Sequence, residues 1–351
     1  MLEDTNDIGF AAVRVEAESG IDSGVYFRMQ LSGITGHGDF ARDVGVLLTP
    51  EQCLPMAIAV VRVFIASGDR TDRKRARLKY VLDAWGIDKF MAKVETELPF
   101  VPLRLSLSAC ARRQPVVKHG HIGIHPQKQL GLCYAGIVLP AGRIGTNDMR
   151  GLADIAAELG SGTIRLTVWQ NLILSDIPAG RVPELEARVA ALGLGTKASG
   201  IRGGLVACTG NIGCKFAATD TKGQAMIIAN YLDSRIALDQ PVNIHLTGCP
   251  NSCAQHYVGD IGLLGIKVGD DMVDGYAVMV GGGAGSERSL AREIYVNVPM
   301  VELPQRLERM LAAYVAERRD ATESFHDFTA RHAIEELKHI FEPTRNSCLT
   351  Q

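Results

Sequence analysis

Part of this chain is written twice, and that repetition constrains its fold more than any other feature. Asp7-Ile8-Gly9-Phe10 recurs as Asp260-Ile261-Gly262-Leu263, an offset of 260 − 7 = 253. Pro50-x-x-x-Leu54-Pro55 recurs as Pro299-x-x-x-Leu303-Pro304, an offset of 299 − 50 = 249. Between the anchors both copies pass through glycine-rich turns, around Gly33 and Gly36 in one and Gly281 to Gly285 in the other. After the second anchor each continues as an apolar-periodic helix, Met56 to Ala66 and Leu307 to Val315. Coincidence among short apolar strings is the bland alternative; two anchors in the same order weigh against it. Before the second Asp-Ile-Gly strand lies a long stretch holding Cys208, Cys214, Cys249 and Cys253, whereas only Met1 to Asn6 precede the first. The first copy therefore reads as incomplete.

A different unit separates the copies. Gly131 to Leu139 predicts a strand, Asn147 caps a helix to Leu159 closed by Gly160, and Thr163 to Trp169 predicts a second strand. Leu172 to Ile177 and Val182 to Leu192 add one more strand and helix. A β-α-β-β-α order predicts half of a split ferredoxin-like sandwich. With Pro99 to Pro102 and the Gly193 to Gly204 cluster as linkers, the expected domains are residues 1–98, 99–195 and 196–351 in a mixed α/β (α+β) chain. A net charge of −2 supplies no field for nucleic acid. No secretory leader or membrane span is predicted, since the strongest apolar run, Leu54 to Ala66, is short and broken by Arg62. Eight cysteines in such a chain point to reduced thiols and a cytoplasmic protein.

The cysteines fall into groups. Cys208 and Cys214 form a C-x5-C pair and Cys249 and Cys253 a C-x3-C pair, with a helix around Gln224 to Asp233 expected between them. Four thiolates from two loops are the usual protein share of a cubane cluster. Gly210, Gly213 and Gly248 allow close backbone approach, and Pro250 suits the first residue of a helix aimed at anionic sulfur. A structural zinc site also takes four thiolates, though C-x5-C lies outside its usual spacing, and four inert core thiols are the third reading. Cys53, Cys110, Cys133 and Cys348 show no pairing.

Thr247-Gly-Cys249-Pro-Asn251-Ser-Cys253, preceded by Ala207-Cys208-Thr-Gly-Asn-Ile-Gly-Cys214, resembles the signature of the siroheme-dependent nitrite and sulfite reductases. Thr5 to Gly9, Asp69 to Lys79, Ile164 to Asn171 and Phe325 to Thr329 are similar to further family segments. His125 to Gln129 and Leu205 to Asn211 are closer to the ferredoxin-dependent nitrite reductases. The resemblance implies two copies of a nitrite/sulfite reductase repeat, the first incomplete, flanking a ferredoxin-like half-domain. It also implies a 4Fe-4S cluster on the four cysteines, with Cys253 axial to the siroheme iron. The implied reaction is reduction of nitrite to ammonia, or of sulfite to sulfide, with ferredoxin as donor.

Arg70, Arg73, Lys74 and Arg77 fall at helical spacing, i, i+3, i+4 and i+7, opposite Leu78, Leu82 and Trp85. By itself such a face is solvated; the resemblance implies that it meets the siroheme carboxylates. Arg165, Thr167, Gln170 and Asn171 sit on or beside a strand. The resemblance implies that Gln170 and Arg165 reach the haem edge, while Thr247 and Asn251 hydrogen-bond around cluster and haem. His125 and His256 stand alone and read as structural histidines. The family's distal Arg/Lys anion site lies upstream of Asn-Asp-Ile-Gly, so no catalytic residue is assigned, and a separately encoded N-terminal portion is expected to complete the enzyme. An alternative expectation is a non-catalytic iron-sulfur-binding fragment.

Overall fold

The computed structural model describes residues 2–16, 20–72, 75–111 and 117–342. The chain forms two compact units, residues 1–115 with 284–286, and residues 116–283 with 287–351.

In the first unit, β1 (Ile8–Val15), β2 (Gly24–Leu31) and β3 (Arg42–Leu48) form an antiparallel meander. It is followed by α1 (Pro50–Ser67), α2 (Leu78–Trp85), α3 (Ile87–Glu95) and a short β4 (Leu103–Arg104). Pro50 opens α1 behind a capping box in which Thr49 and Gln52 satisfy free N–H groups reciprocally. Met56, Ala59, Val60 and Val63 recur at helical spacing and are buried with Met29, Leu31, Phe90 and Val94. The opposite face of α1 carries Leu54, Ile58, Val61 and Ile65, all exposed.

The second unit begins with β5 (Gly123–Pro126), β6 (Leu132–Ile137), α4 (Thr146–Leu159), β7 (Ile164–Leu166), β8 (Leu172–Pro178) and α5 (Val182–Ala191). Its sheet has the order β5-β6-β8-β7, and α4 and α5 bury Leu152, Ile155, Leu185 and Val189 against it. The expected β-α-β-β-α run is present, with β5 added ahead of it. The chain continues through β9 (Leu205–Ala207), α6 (Thr221–Asp233), β10 (Ile244–Thr247), β11 (Ile261–Val268), β12 (Val273–Val280) and β13 (Arg292–Pro299). Three helices close it: α7 (Leu303–Glu317), α8 (Phe325–Ala330) and α9 (Ile334–Phe341). The five-stranded sheet has the order β13-β12-β11-β10-β9, with β9, β10 and β11 parallel.

The repeat extends to individual hydrogen bonds. Ser32 N–H donates to Asp7 C=O at 2.8 Å and Gly281 N–H to Asp260 C=O at 3.0 Å. Ala41 N–H reaches Asp4 C=O at 2.6 Å, as Ala291 N–H reaches Tyr257 C=O at 2.8 Å. Gly9 and Gly262 are required for one reason: a Cβ would lie 2.2 Å from Glu3 O in the first copy and 2.1 Å from His256 O in the second. The second anchor is different. Leu303 is buried at the start of α7, whereas Leu54 is 69 % exposed within α1. A turn at Met300–Glu302 precedes α7 and shifts the register, so the buried residues of α1 match Leu307, Met310, Leu311 and Tyr314. The Pro-x-x-x-Leu-Pro spelling recurs out of step with the structure.

The basic segment also departs from expectation. The helix begins only at Leu78, with Arg77 extended at its N-cap. The Asp69 carboxylate accepts from Thr71 N–H at 2.8 Å and from its hydroxyl at 2.6 Å, a local turn that competes with helix. Arg70 and Arg77 therefore lie outside any helix; Arg73 and Lys74, like Cys348, lie outside the described residues.

Candidate iron-sulfur site

Parallel pairing brings the two cysteine loops to one place. β9 and β10 lie side by side with Ala207 opposite Leu246, so both strands deliver their following loops at the same end of the sheet. Cys208 N–H donates to Leu246 C=O at 3.0 Å, and Gly248 N–H donates to Cys208 Sγ at 3.2 Å. Ala218 N–H closes on Gly248 C=O at 2.7 Å, tying the end of one loop to the start of the other. Gly248 is required here, since a Cβ would sit 2.6 Å from that of Ala217. Cys214 is held in a turn by its N–H to Gly210 C=O at 2.9 Å. Ser252, just before Cys253, adopts a left-handed conformation with φ 55°.

Cys249 is buried, Cys208 and Cys214 are half-buried and Cys253 is exposed. The Cys253 thiol is pushed up by burial and then by the neighbouring Cys208, Cys249 and Cys214. The sulfurs of Cys208, Cys249 and Cys214 thus each lie within electrostatic reach of that of Cys253. Among the described residues, no three His, Cys, Asp or Glu side chains converge on a point able to hold one metal ion. Pro250 opens a turn rather than a helix, because the left-handed Ser252 and Gln255 interrupt helical geometry. The helix beside the site is α6, whose Thr221 hydroxyl donates to Cys208 C=O at 2.8 Å and lies 3.5 Å from its sulfur.

One cation near the sulfurs has no signature in spacing. Lys222 donates to Ala141 C=O at 2.5 Å and to Ala207 C=O at 3.0 Å. Burial and then Arg143 lower its pKa, while Cys208 works in the opposite direction. It is found only when α6 folds back over β9.

The other expected residues are placed as follows. Gln170, left-handed with φ 60°, brackets Ala207: its amide donates to Ala207 C=O at 2.9 Å and its oxygen accepts from Ala207 N–H at 3.1 Å. That carboxamide holds the residue preceding Cys208. Asn171 accepts from Leu139 N–H at 3.1 Å, and Thr167 Oγ1 accepts from Asn171 N–H at 3.1 Å. Arg165 is exposed on β7 and donates to Ser175 Oγ at 2.9 Å. Thr247 is fully buried at the end of β10, its hydroxyl without a partner among the described residues, whereas Asn251 is exposed. In the first unit, Arg70 is exposed and Arg77 pairs with Asp7 at 2.5 Å. His256 is fully buried and lies 3.2 Å from Ser252 Oγ; burial and then His245 lower its pKa to about 4.

A buried network lies at the other end of β10 and β11. Asp260 accepts from Lys118 Nζ at 2.7 Å and from Asn243 N–H at 2.7 Å, and His119 meets Asn243 Oδ1 at 2.7 Å. Because Asn243 precedes β10 and Asp260 precedes β11, this network sets the register of two strands in the sheet that carries the cysteine loops.

Comparison with known proteins agrees with this arrangement. The nitrite and sulphite reductase 4Fe-4S domain matches residues 1–101 and 199–344, and the nitrite/sulfite reductase ferredoxin-like half domain matches residues 125–192. The chain is 39% identical over 255 residues to the ferredoxin–nitrite reductase of Synechococcus elongatus, covering 72% of this chain and 49% of that one. It is 33% identical to sulfite reductase [ferredoxin] 2 of Mycolicibacterium paratuberculosis, covering 96% of this chain and 61% of the relative. The solved structure of Mycobacterium tuberculosis NirA protein superposes with a TM-score of 0.86 at 30% identity, over 95% of this chain and 61% of that one. The chain spans about half the length of the first nitrite reductases it matches. With two copies of the repeat around a ferredoxin-like half-domain, this chain belongs to the nitrite and sulphite reductase family.

Proposed function

We propose that this chain is the C-terminal portion of a siroheme- and 4Fe-4S-dependent reductase that converts nitrite to ammonia in the cytoplasm, with ferredoxin as electron donor. The observation that carries the reading is the pair of cysteine loops at one end of adjacent parallel strands. Cys208, Cys214, Cys249 and Cys253 would hold the cluster, and Cys253 would also ligate the siroheme iron. The residues present fit a cubane: four thiols, none in a disulfide, flanked by a glycine that cannot carry a side chain and by the Lys222 ammonium. When bound, cluster and siroheme supply the electron transfer that no side chain can perform.

The chain's own residues do three things in this reading. Gly248 N–H donates to Cys208 Sγ and orients that sulfur. Gln170 and Thr221 fix the backbone on either side of that sulfur, and Thr247 and Asn251 border the second loop. In this reading the siroheme carboxylates would be met by basic residues among Arg70, Arg73, Lys74, Arg77 and Arg165, and Arg77 would exchange its Asp7 partner to serve there.

The purified protein is expected to contain iron and acid-labile sulfide, with a siroheme absorbance band. Turnover with reduced ferredoxin then separates nitrite from sulfite. One zinc and no sulfide would overturn the cluster reading. A sulfite reductase is the second reading, favoured by the match over 96% of this chain, and 61% of the relative, to sulfite reductase [ferredoxin] 2 of Mycolicibacterium paratuberculosis.

A further inference from the structure

We infer that Lys222 is the counter-cation of the iron-sulfur site: its ammonium balances the negative charge of the four-cysteine centre and holds that centre's reduction potential up. The inference rests on the reading that Cys208, Cys214, Cys249 and Cys253 bind a cluster, and it adds the residue that sets how readily the cluster accepts an electron.

The position of Lys222 is unfavourable for a cation unless an anion lies near. It is the second residue of α6, in a first turn that holds no acidic residue, where the free N–H groups of the helix already present positive charge. Its side chain is half-buried and folds back over β9, where it donates to Ala141 C=O at 2.5 Å and to Ala207 C=O at 3.0 Å. Both acceptors are neutral, and among the described residues no carboxylate forms an ion pair with this ammonium. Asp220, the N-cap of the same helix, turns its carboxylate to Gly223 N–H at 3.1 Å instead. Burial first and Arg143 second push the Lys222 pKa down, and Cys208 is the group that pushes it up. A cation held away from water without a carboxylate requires negative charge from elsewhere.

The sulfur site is where that charge lies. Ala207, whose carbonyl binds the ammonium, directly precedes Cys208, and Gln170 donates to the same carbonyl at 2.9 Å. Thr221, directly before Lys222, donates its hydroxyl to Cys208 C=O at 2.8 Å and stands 3.5 Å from the sulfur. The ammonium is therefore fixed relative to one ligand through two independent bonds. Thiolate-bound clusters are anionic, and reduction adds a further negative charge, the electron coming from an external reductant with no bond made or broken. A fixed cation favours the more negative form and so raises the potential, and it does so more strongly where water is partly excluded. Lys215 offers a comparison within the same loop: it adjoins Cys214 but is exposed, with its ammonium 5.2 Å from the centre of the Phe216 ring.

The test is a dithionite titration of the full chain carrying its cluster, with the reduced fraction read by electron paramagnetic resonance against solution potential. Lys222→Gln keeps a donor for the carbonyls and removes the charge. It should lower the equilibrium constant for one-electron reduction by at least about tenfold, a fall of about 59 mV. Lys222→Arg keeps the charge, and Lys215→Gln removes a cation screened by solvent, so both should stay within about threefold of the parent protein. A smaller fall in Lys222→Gln, or a fall beyond about threefold in Lys222→Arg or Lys215→Gln, would overturn the proposal. Should Lys222→Gln take up no iron while Lys222→Arg loads fully, the charge is required for assembly and the proposal stands. Should neither load, the side chain acts through its shape and the proposal falls. Failure of the cluster reading shows separately, in the parent protein, as zinc without acid-labile sulfide.

Discussion

Replacing Lys118 with methionine should destabilise the second unit by about 3–5 kcal/mol, the range for removing one partner of a buried ion pair. Asp260 is 1 % exposed and Lys118 17 %, and their charged atoms lie 2.7 Å apart. Methionine keeps most of the aliphatic volume of Lys118, so the loss is electrostatic. The Asp260 carboxylate then retains Asn243 N–H as its remaining hydrogen-bond donor in the network. Asp260→Asn should cost less, because Lys118 keeps Glu287 at 3.0 Å, and the double variant should recover part of the loss by removing the stranded charge. The two tryptophans allow the unit to be watched alone: Trp85 lies in the first and Trp169 in the second, so a Trp85→Phe background makes fluorescence report on the second. Urea unfolding at neutral pH supplies the midpoint and slope. A cost for Lys118→Met below about 1 kcal/mol, or a double variant no more stable than the single, would refute a buried charge pair holding these strand ends. The alkaline limb provides a check. Burial opposes the charged lysine, but Asp260 and Glu287 outweigh it and raise its pKa. The pair's contribution is therefore fully present below the unfolded lysine value and lost as pH rises through the folded one.

Three further outcomes follow from the same geometry. Gln170→Leu removes both bonds to Ala207 and leaves a strand N–H unsatisfied, so the chain should lose about 2–4 kcal/mol in urea unfolding and load less iron. Cys214→Ser should reduce iron and sulfide per chain, whereas Cys53→Ser and Cys110→Ser should leave both unchanged. His245 and His256 are fully buried with pKa values lowered to about 4, each first by burial, so the unfolded state binds more protons between pH 6.5 and 4. Stability of the cofactor-free second unit should fall with acidification across that window, by at most about 3 kcal/mol per pH unit for the two, and level off below it.

What could be read from the sequence was mostly what local spacing encodes. The strands around Leu132–Ile137 and Leu172–Pro178 and the helix Thr146–Leu159 follow from periodicity and neighbouring glycines, although that helix starts behind Gly145, with no side-chain cap, rather than at an Asn147 cap. The helical spacing of Arg70 to Arg77 misled because charged residues three and four apart cost nothing in a loop, while the Asp69–Thr71 turn sets the backbone. The second repeat anchor misled because Leu54 and Leu303 share neighbours in sequence but occupy different helical faces. Strand β5 escaped notice: its four residues end in proline and have no alternation long enough to detect. Lys222 and the Ala207 contact of Gln170 depend on packing between segments 15 and 37 residues apart, which no local pattern records.

The parallel pairing of β9 and β10 separates two distances that the sequence runs together. The short gaps inside each cysteine pair answer to the size of what the sulfurs grip. The 249 − 214 − 1 = 34 positions between the pairs answer only to the return journey, through α6 and residues 234–243, to the far end of the sheet. Insertions in that return, remote from the sulfurs, should therefore be tolerated, whereas one extra residue between Cys249 and Cys253 should not.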